Sequence, residues 1–427
     1  MPPSTASPVV HAPDPVVRTV AEEEFAEWLR GTKLGFHRLP EVSSEELAAR
    51  LPHVELDRTW GAFEGTRAVG ALRTMPRRLT VPGGGELPAD AVTQVSVLPT
   101  HRRRGLLSRM VAGSLAAARE RGDACAILVA AEYPIYGRFG FGPATATTEF
   151  EVEIARSGLD PRYGGPEGGA RVELVDAQEA YTLLPEIFDR FRRLPERQGA
   201  IDRPDHRWRT QLALARFPGA ERTPTLHAVH RDASGTPQGA VAYTVDEHWE
   251  AKLPCQTAQV HDLFAVTSEA ERALWRHVLS LDWVARVRSG TRAPDDVLPL
   301  LLPDPRAAKT LVHADFLWLR PLDVPRMLGA RRYAGPGSLV LDVRDTAGLA
   351  GGRFRLEAGA EGAVCTPTRE EAELSLDVGE LGALYLGGES AVRLASVGRV
   401  VEERTGAASA ADALFRTSRQ PWCPDLF

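Results

Sequence analysis

The densest chemistry in the chain lies in Val95-Ser-Val-Leu-Pro-Thr-His-Arg-Arg-Arg-Gly-Leu-Leu-Ser-Arg-Met110. An alternating strand pattern runs into three arginines and a glycine, and an amphipathic helix pattern follows at once. The first N–H groups of a helix lack intrahelical partners and carry the positive end of its dipole. Gly105 removes the Cβ that would keep a ligand away from them. With Arg103 and Arg104 adding charge, the pattern describes a pyrophosphate site held largely by backbone. A solvated basic helix start is the plainer alternative.

The elements that must position this loop can be read on both sides of it. Val92 to Val97 alternates as a half-buried strand should. Leu107, Met110, Val111 and Leu115 recur at helical spacing until Arg121-Gly122. Ala124 to Ala130 then reads as a buried strand. Strand, anion loop, helix and parallel strand make a right-handed crossover, which sets a ligand at strand ends.

The loop, read as Arg102-Arg-Arg-Gly105-Leu-Leu107, resembles the acetyl-CoA signature of the GNAT N-acetyltransferases, with leucine where that signature has a small residue. Ile135-Tyr-Gly-Arg-Phe-Gly-Phe-Gly-Pro-Ala-Thr145 is similar to the Eis (enhanced intracellular survival) branch of that family. So are Leu317-Trp-Leu-Arg320 with Val324-Pro325, Cys365-Thr-Pro-Thr368 and Leu384-Tyr-Leu-Gly-Gly388. The resemblance implies an α/β (α+β) chain with three parts: an N-terminal GNAT domain, a degenerate GNAT-like middle domain and a sterol-carrier-protein-like C-terminal domain. It also implies acetyl-CoA as co-substrate. The backbone of Val95, Ser96 and Val97 would hold it, with Arg103, Arg104, Gly105, Leu106, Leu107 and Ser108 around the helix start and Ala131 and Glu132 beyond the second strand.

Acetyl transfer from a thioester to an amine needs a base for the ammonium and an acid for the leaving thiolate. Tyr136 matches the family's general acid, and a phenol of pKa ~10 is protonated at neutral pH. A tyrosine packed beside Phe139 and Phe141 is the structural alternative. In the family the base is the chain's own α-carboxylate, on an aromatic last residue. This chain closes with Gln420-Pro-Trp-Cys-Pro-Asp-Leu-Phe427. Trp422, Leu426 and Phe427 are poor residues for a solvated tail, and two prolines lower the entropy lost on docking. Phe427 is therefore the candidate base. Where the family's users of polycationic amines place acids, this chain has His37 and Arg38, and its tail has Asp425 rather than an acid directly before the last residue. A highly cationic substrate is put in doubt.

The 427 residues are too many for one ordinary domain. The expected segments are a disordered tail (1–16), the acetyl-CoA-binding domain (17–156, with a Gly/Pro-rich linker at 157–169), the degenerate copy (157–317) and the C-terminal domain (318–427). In the second copy, Gln259 to Val266 reads as a strand. A helix from Ala270 to Trp283 follows a Ser268…Glu271 capping box. Glu269 and Glu271 replace the arginines, and carboxylates there repel a phosphate. Strands are expected at 339–343, 352–356 and 372–376, with helices from Val378 to Leu386 and from Ala391 to Val401.

A net charge of −6 argues against nucleic acid as a general partner. No apolar run approaches the ~20 residues that span a bilayer. Cys125, Cys255, Cys365 and Cys423 show no CxxC spacing, which argues against structural zinc; free thiols in a reducing cytoplasm are expected. The expected activity is acetylation of primary amines, aminoglycoside-like or polyamine-like. Acetylation of protein lysines and a non-catalytic CoA- or lipid-binding carrier are the alternatives. The family likeness adds a homo-oligomer, a hexamer.

Overall fold

The structure is a computed structural model that describes residues 14–154, 158–162, 168–215, 225–359 and 362–427. Of the expected N-terminal tail, residues 1–13 lie outside the described residues, whereas Val16 already opens a strand. The expected linker lies partly outside them. The described chain forms two compact units.

The first unit holds Met1–Met75 and Val92–Ala117. It contains β1 (Val16–Thr19), α1 (Phe25–Gly35), α2 (Ser44–Arg50) and β2 (Thr59–Glu64). It also holds the first part of β3 (Arg67–Thr80), the last part of β4 (Glu86–Val97) and most of α3 (Leu106–Glu120). A 3-10 turn, Glu22–Glu24, leads into α1, which becomes α-helical at Phe25. Strands β1, β2 and β3 are antiparallel neighbours in that order. Phe25, Trp28 and Leu29 fall on one face of α1 at helical spacing and form a core with Phe63, Ala68 and Ala71. Met110, Val111 and Leu115 are the buried face of α3, as their spacing requires.

The second unit holds Pro76–Ala91 and Ala118–Phe427. In it β5 (Cys125–Val129) is parallel to β4 over Ala89–Ala91 and Cys125–Ile127. The chain then forms β6 (Gly142–Pro143) and β7 (Ala146–Glu153). A second sheet follows, built from β8 (Arg171–Val175), β9 (Leu226–Arg231) and β10 (Pro237–Val245), with α4 (Ala177–Arg192) and α5 (Asp205–Gln211) between β8 and β9. A short hairpin, β11 (Trp249–Glu250) and β12 (Leu253–Pro254), precedes β13 (Gln256–Ala265), α6 (Ser268–Leu279) and β14 (Val284–Arg288). β13 and β14 are parallel, so this strand–helix–strand step repeats the expected crossover.

Two strands change sheets. β7 pairs with β14 and with β15 (Ala308–Asp315) in the second sheet, although it follows β5 in sequence. β16 (Leu317–Pro321) returns to lie antiparallel to β5, with β6 on its other edge. The C-terminal part contains α7 (Val324–Ala330) and a five-stranded sheet. The sheet is built from β17 (Gly337–Arg344), β18 (Gly352–Gly359), β19 (Gly362–Pro367), β20 (Leu374–Asp377) and β21 (Val400–Glu402). Helices α8 (Val378–Tyr385), α9 (Ala391–Ser396) and α10 (Ala407–Phe415) complete it.

Three expectations need correction. The N-cap of α6 is Thr267, whose hydroxyl accepts from the Ala270 N–H at 3.2 Å, so Ser268 is the first helical residue and no Ser268…Glu271 box forms. The same helix ends at Leu279, and Trp283 has a left-handed backbone (φ 70°). The helix expected from Ala391 to Val401 stops at Ser396, because Gly398 (φ 75°) turns the chain back and Val400–Glu402 joins β20 as a strand.

Candidate active site

The first unit carries the arginine loop. Gln94 has φ 52° inside β4, so the backbone departs from regular extended geometry where strict alternation was expected. Beyond it, Val95, Ser96 and Val97 are half-buried. The Gln94 Oε1 and Ser96 Oγ atoms are enclosed with no hydrogen-bond partner among the described residues. Buried polar atoms of this kind ordinarily have partners, so the strand fits a ligand that brings amide groups of its own. A 3-10 turn, Pro99–His101, leads into the loop.

Arg103 (φ 63°) and Gly105 (φ 73°) both take left-handed backbone just before α3. An added Cβ at Gly105 would meet nothing within 4 Å, so glycine serves the conformation there rather than close packing. Arg102, Arg103 and Ser108 are exposed, Leu107 is half-buried, and Leu106 is buried as the helix's first anchor. Arg104 is already engaged: it pairs with Asp14 at 3.2 Å and Glu64 at 3.7 Å. The loop therefore offers an anion two exposed guanidiniums and the open N-terminus of a 15-residue helix.

The second unit carries the acid and base candidates. After β5, Ala131, Glu132 and Tyr133 are exposed. Tyr136 is only 9% exposed, its ring edge-on to Phe141 with centroids 6.1 Å apart. Burial, and secondarily the charge of Glu132, pushes its phenol above the ordinary tyrosine value, so it keeps its proton. The described residues offer its hydroxyl no hydrogen-bond partner. Its backbone carbonyl accepts from the Phe139 N–H at 3.0 Å, closing the 3-10 turn Gly137–Phe139.

That turn is gripped from behind by Arg320 of β16, a fully buried arginine that donates to the Phe139 carbonyl at 2.9 Å and pairs with Asp345 at 2.8 Å. Backbone also packs on backbone here. A Cβ on Gly142 would sit 1.8 Å from the Gly379 carbonyl of α8. Nothing in the sequence pointed to Arg320 as more than a motif residue, although a charge inside an otherwise apolar strand was the available signal.

The C-terminal segment is docked. Trp422 is buried among Phe191, Trp208 and Phe264, with the Arg292 guanidinium 4.9 Å from its ring. The Trp422 N–H donates to the Gln198 carbonyl at 3.1 Å, and the Gln198 side chain donates to the Arg419 carbonyl at 2.7 Å. Asp425 is buried against Arg203 and Arg207, and Phe427 is half-buried. Burial disfavours the Arg203 charge, but Asp262 and Asp425 outweigh it and hold its pKa above the usual arginine value. Sequence reasoning missed Arg203, Arg207 and Asp262, which lie far from the tail in sequence and match no motif.

At the start of α6, where the second copy of the crossover could hold an anion, the chain serves itself. Thr267 caps the helix, and buried Glu271 lies between Arg197 at 3.8 Å and Arg292 at 3.9 Å.

Two family models described as acetyltransferase (GNAT) domains match residues 16–144 and 199–321, and a sterol carrier protein domain matches residues 324–424. The chain is thus an N-acetyltransferase with two GNAT domains and a sterol-carrier-like C-terminal domain. An uncharacterized N-acetyltransferase of Streptomyces avermitilis is 54% identical over 417 residues, covering 97% of this chain and 99% of that one. The N-acetyltransferase Eis of Mycobacterium tuberculosis (strain H37Ra) is 40% identical over 361 residues, covering 83% of this chain and 85% of its own. The crystal structure of Eis1 from Mycobacterium abscessus superposes with a TM-score of 0.83 at 33% identity, over 96% of this chain and 100% of the other. The chain belongs to the Eis-like family of GNAT N-acetyltransferases.

Proposed function

We propose that the chain transfers the acetyl group of acetyl-CoA to a primary amine of a small molecule, aminoglycoside-like or polyamine-like, with Tyr136 as general acid and the Phe427 α-carboxylate as general base. The docked tail carries this reading. Chain ends usually fray, yet this one is anchored from Trp422 to Leu426 and ends on an aromatic residue. Bound along Val95–Val97 with its phosphates at Arg103, Gly105 and the start of α3, acetyl-CoA supplies the acyl thioester. The Phe427 carboxylate takes a proton from the substrate ammonium, the freed amine nitrogen bonds to the acyl carbon, and the C–S bond breaks. Tyr136 gives its proton to the departing sulfur, and the acylated nitrogen loses its remaining excess proton to become the neutral amide. Solvent carries a proton back to the Tyr136 phenolate, and the Phe427 carboxyl releases the first proton to solvent.

Asp425 is taken up by two arginines, and His37 and Arg38 stand in the early stretch, so the reading favours amines of lower charge density among these substrates. We expect the middle domain to bind no CoA, and the chain to act as a cytoplasmic homohexamer; light scattering at a monomer mass would contradict the last point. The decisive test compares a tag after Phe427 with a tag before Met1. The first converts the carboxylate to a neutral amide, and amine-dependent CoA release should collapse to a small residual rate while fold and acetyl-CoA affinity persist. Equal turnover from the two proteins would remove Phe427 as base.

A further inference from the structure

The residues just before Phe427 are held by groups from a distant part of the chain. Arg203, between α4 and α5, presents its Nε to both carboxylate oxygens of Asp425, at 2.8 and 3.1 Å, and donates through Nη1 to Asp262 of β13. Its guanidinium stacks over Phe188 at 3.8 Å. Arg207, on the first turn of α5, donates Nη1 to the Leu426 carbonyl at 2.8 Å and pairs Nη2 with Asp425 at 2.9 Å. The Cys423 thiol closes the group, donating to the Asp425 carbonyl at 3.4 Å.

This arrangement is costly for a tail that merely packs. The Asp425 side chain is 1% exposed, and taking a carboxylate and a guanidinium out of water carries a large desolvation penalty. An apolar residue at that position would dock the tail without it. What the charged contacts add is direction and register. Two consecutive carbonyls, those of Asp425 and Leu426, are fixed within one residue of the terminus, at most about 3.3–3.6 Å of extended chain.

We propose that Arg207 and Arg203 are positioning residues for the Phe427 carboxylate, with the Asp425 side chain as the handle by which they hold it. The inference rests on the reading of that carboxylate as the base. It assigns Asp425 to orienting the terminus rather than to binding a cationic substrate. A misplacement of about 1 Å in a reacting group can lower rates by about 100-fold.

Arg207 is the residue to change, because its side chain is 35% exposed whereas that of Arg203 is buried and also satisfies Asp262. Four full-length proteins make a cycle: the natural chain, Arg207→Gln, the chain extended by a short peptide after Phe427, and the two changes combined. In the natural background Arg207→Gln should lower kcat about 10–100-fold while the KM for acetyl-CoA stays within about twofold. In the extended background, where no terminal carboxylate remains at that place, the same substitution should cost less than about threefold, because nothing is left to position. Arg207→Lys, which keeps the ion pair and loses the two-pronged grip, should fall between, and it carries the cycle if the glutamine variant does not fold. Turnover of Arg207→Gln within about threefold of the natural chain, or an equal loss in both backgrounds, would overturn the positioning role. Full turnover of the extended chain would instead remove the carboxylate as base, and the positioning role with it.

Discussion

Replacing Tyr136 by phenylalanine isolates one hydroxyl. The ring sits edge-on to Phe141 and is 9% exposed, and phenylalanine keeps that packing. No group among the described residues donates to or accepts from the hydroxyl, so its removal leaves no buried partner stranded, and the stability change should stay within about 0.5 kcal/mol. Chemistry should suffer far more. A positioned general acid contributes about 10²–10⁴ in rate, which corresponds to about 2.7–5.4 kcal/mol in the barrier. The assay is release of free CoA thiol over a panel of primary amines, with acetyl-CoA binding measured by calorimetry and the melting temperature as control. The expected outcome is a melting curve and acetyl-CoA affinity close to those of the natural chain, with kcat lower by at least about 100-fold. Because burial and Glu132 raise the phenol's pKa, its acid form persists beyond the ordinary value near ~10. No loss of activity through Tyr136 ionisation should therefore appear below about pH 10. A kcat within about threefold of the natural value would refute the assignment and point to Tyr133, water, or no enzymic acid.

Arg103→Glu should weaken acetyl-CoA binding, and the loss should shrink as salt rises because the side chain is exposed; calorimetry should count one site per chain, and two equivalent sites would contradict the reading of the middle domain. Asp345→Ala should destabilise the fold by about 3–5 kcal/mol in thermal or denaturant melts, because fully buried Arg320 loses its counter-ion. Burial raises the Asp345 pKa, but Arg320 and the N–H groups of Ala350 and Ala347 outweigh it, leaving the pKa below the usual value. Its contribution is therefore present above the unfolded carboxylate pKa, near ~4, and fades as pH falls through the lower folded value. Melts across that range should show the natural chain losing stability on acidification while the Asp345→Ala chain loses less. Gly142→Ala should cost at least about 1–3 kcal/mol, since its Cβ would collide with the Gly379 carbonyl and backbone cannot swing aside.

Local signals in this sequence were strong where one element decides its own fate. The strand before the arginines, α3 and β5 follow from period and from buried apolar runs, and the loop between them follows from Gly105. The end of α9 was legible too, for Gly398 stands where the helix stops, but apolar residues on both sides of it masked the break. Long-range contacts were not legible. No local pattern reveals that β16 completes the edge of β5, that Arg104 is paired with Asp14 and Glu64, or that Arg203 meets Asp425 across 222 positions. Trp422 and Phe427 marked the tail as one built to dock, whereas the arginines that grip it lie in a segment with no motif.

The exchange of strands between sheets sets a schedule on the ribosome. β5 has its antiparallel neighbour only when β16 has been made, about 190 residues later, which at ordinary synthesis rates is roughly 10–40 s. During that interval one edge of a fully apolar strand has no partner, and the turn that bears Tyr136 lacks the Arg320 that grips it. A nascent chain stalled before residue 317 should therefore be held by chaperones and read as incomplete, even though every residue of its arginine loop and of the Tyr136 turn has already been translated.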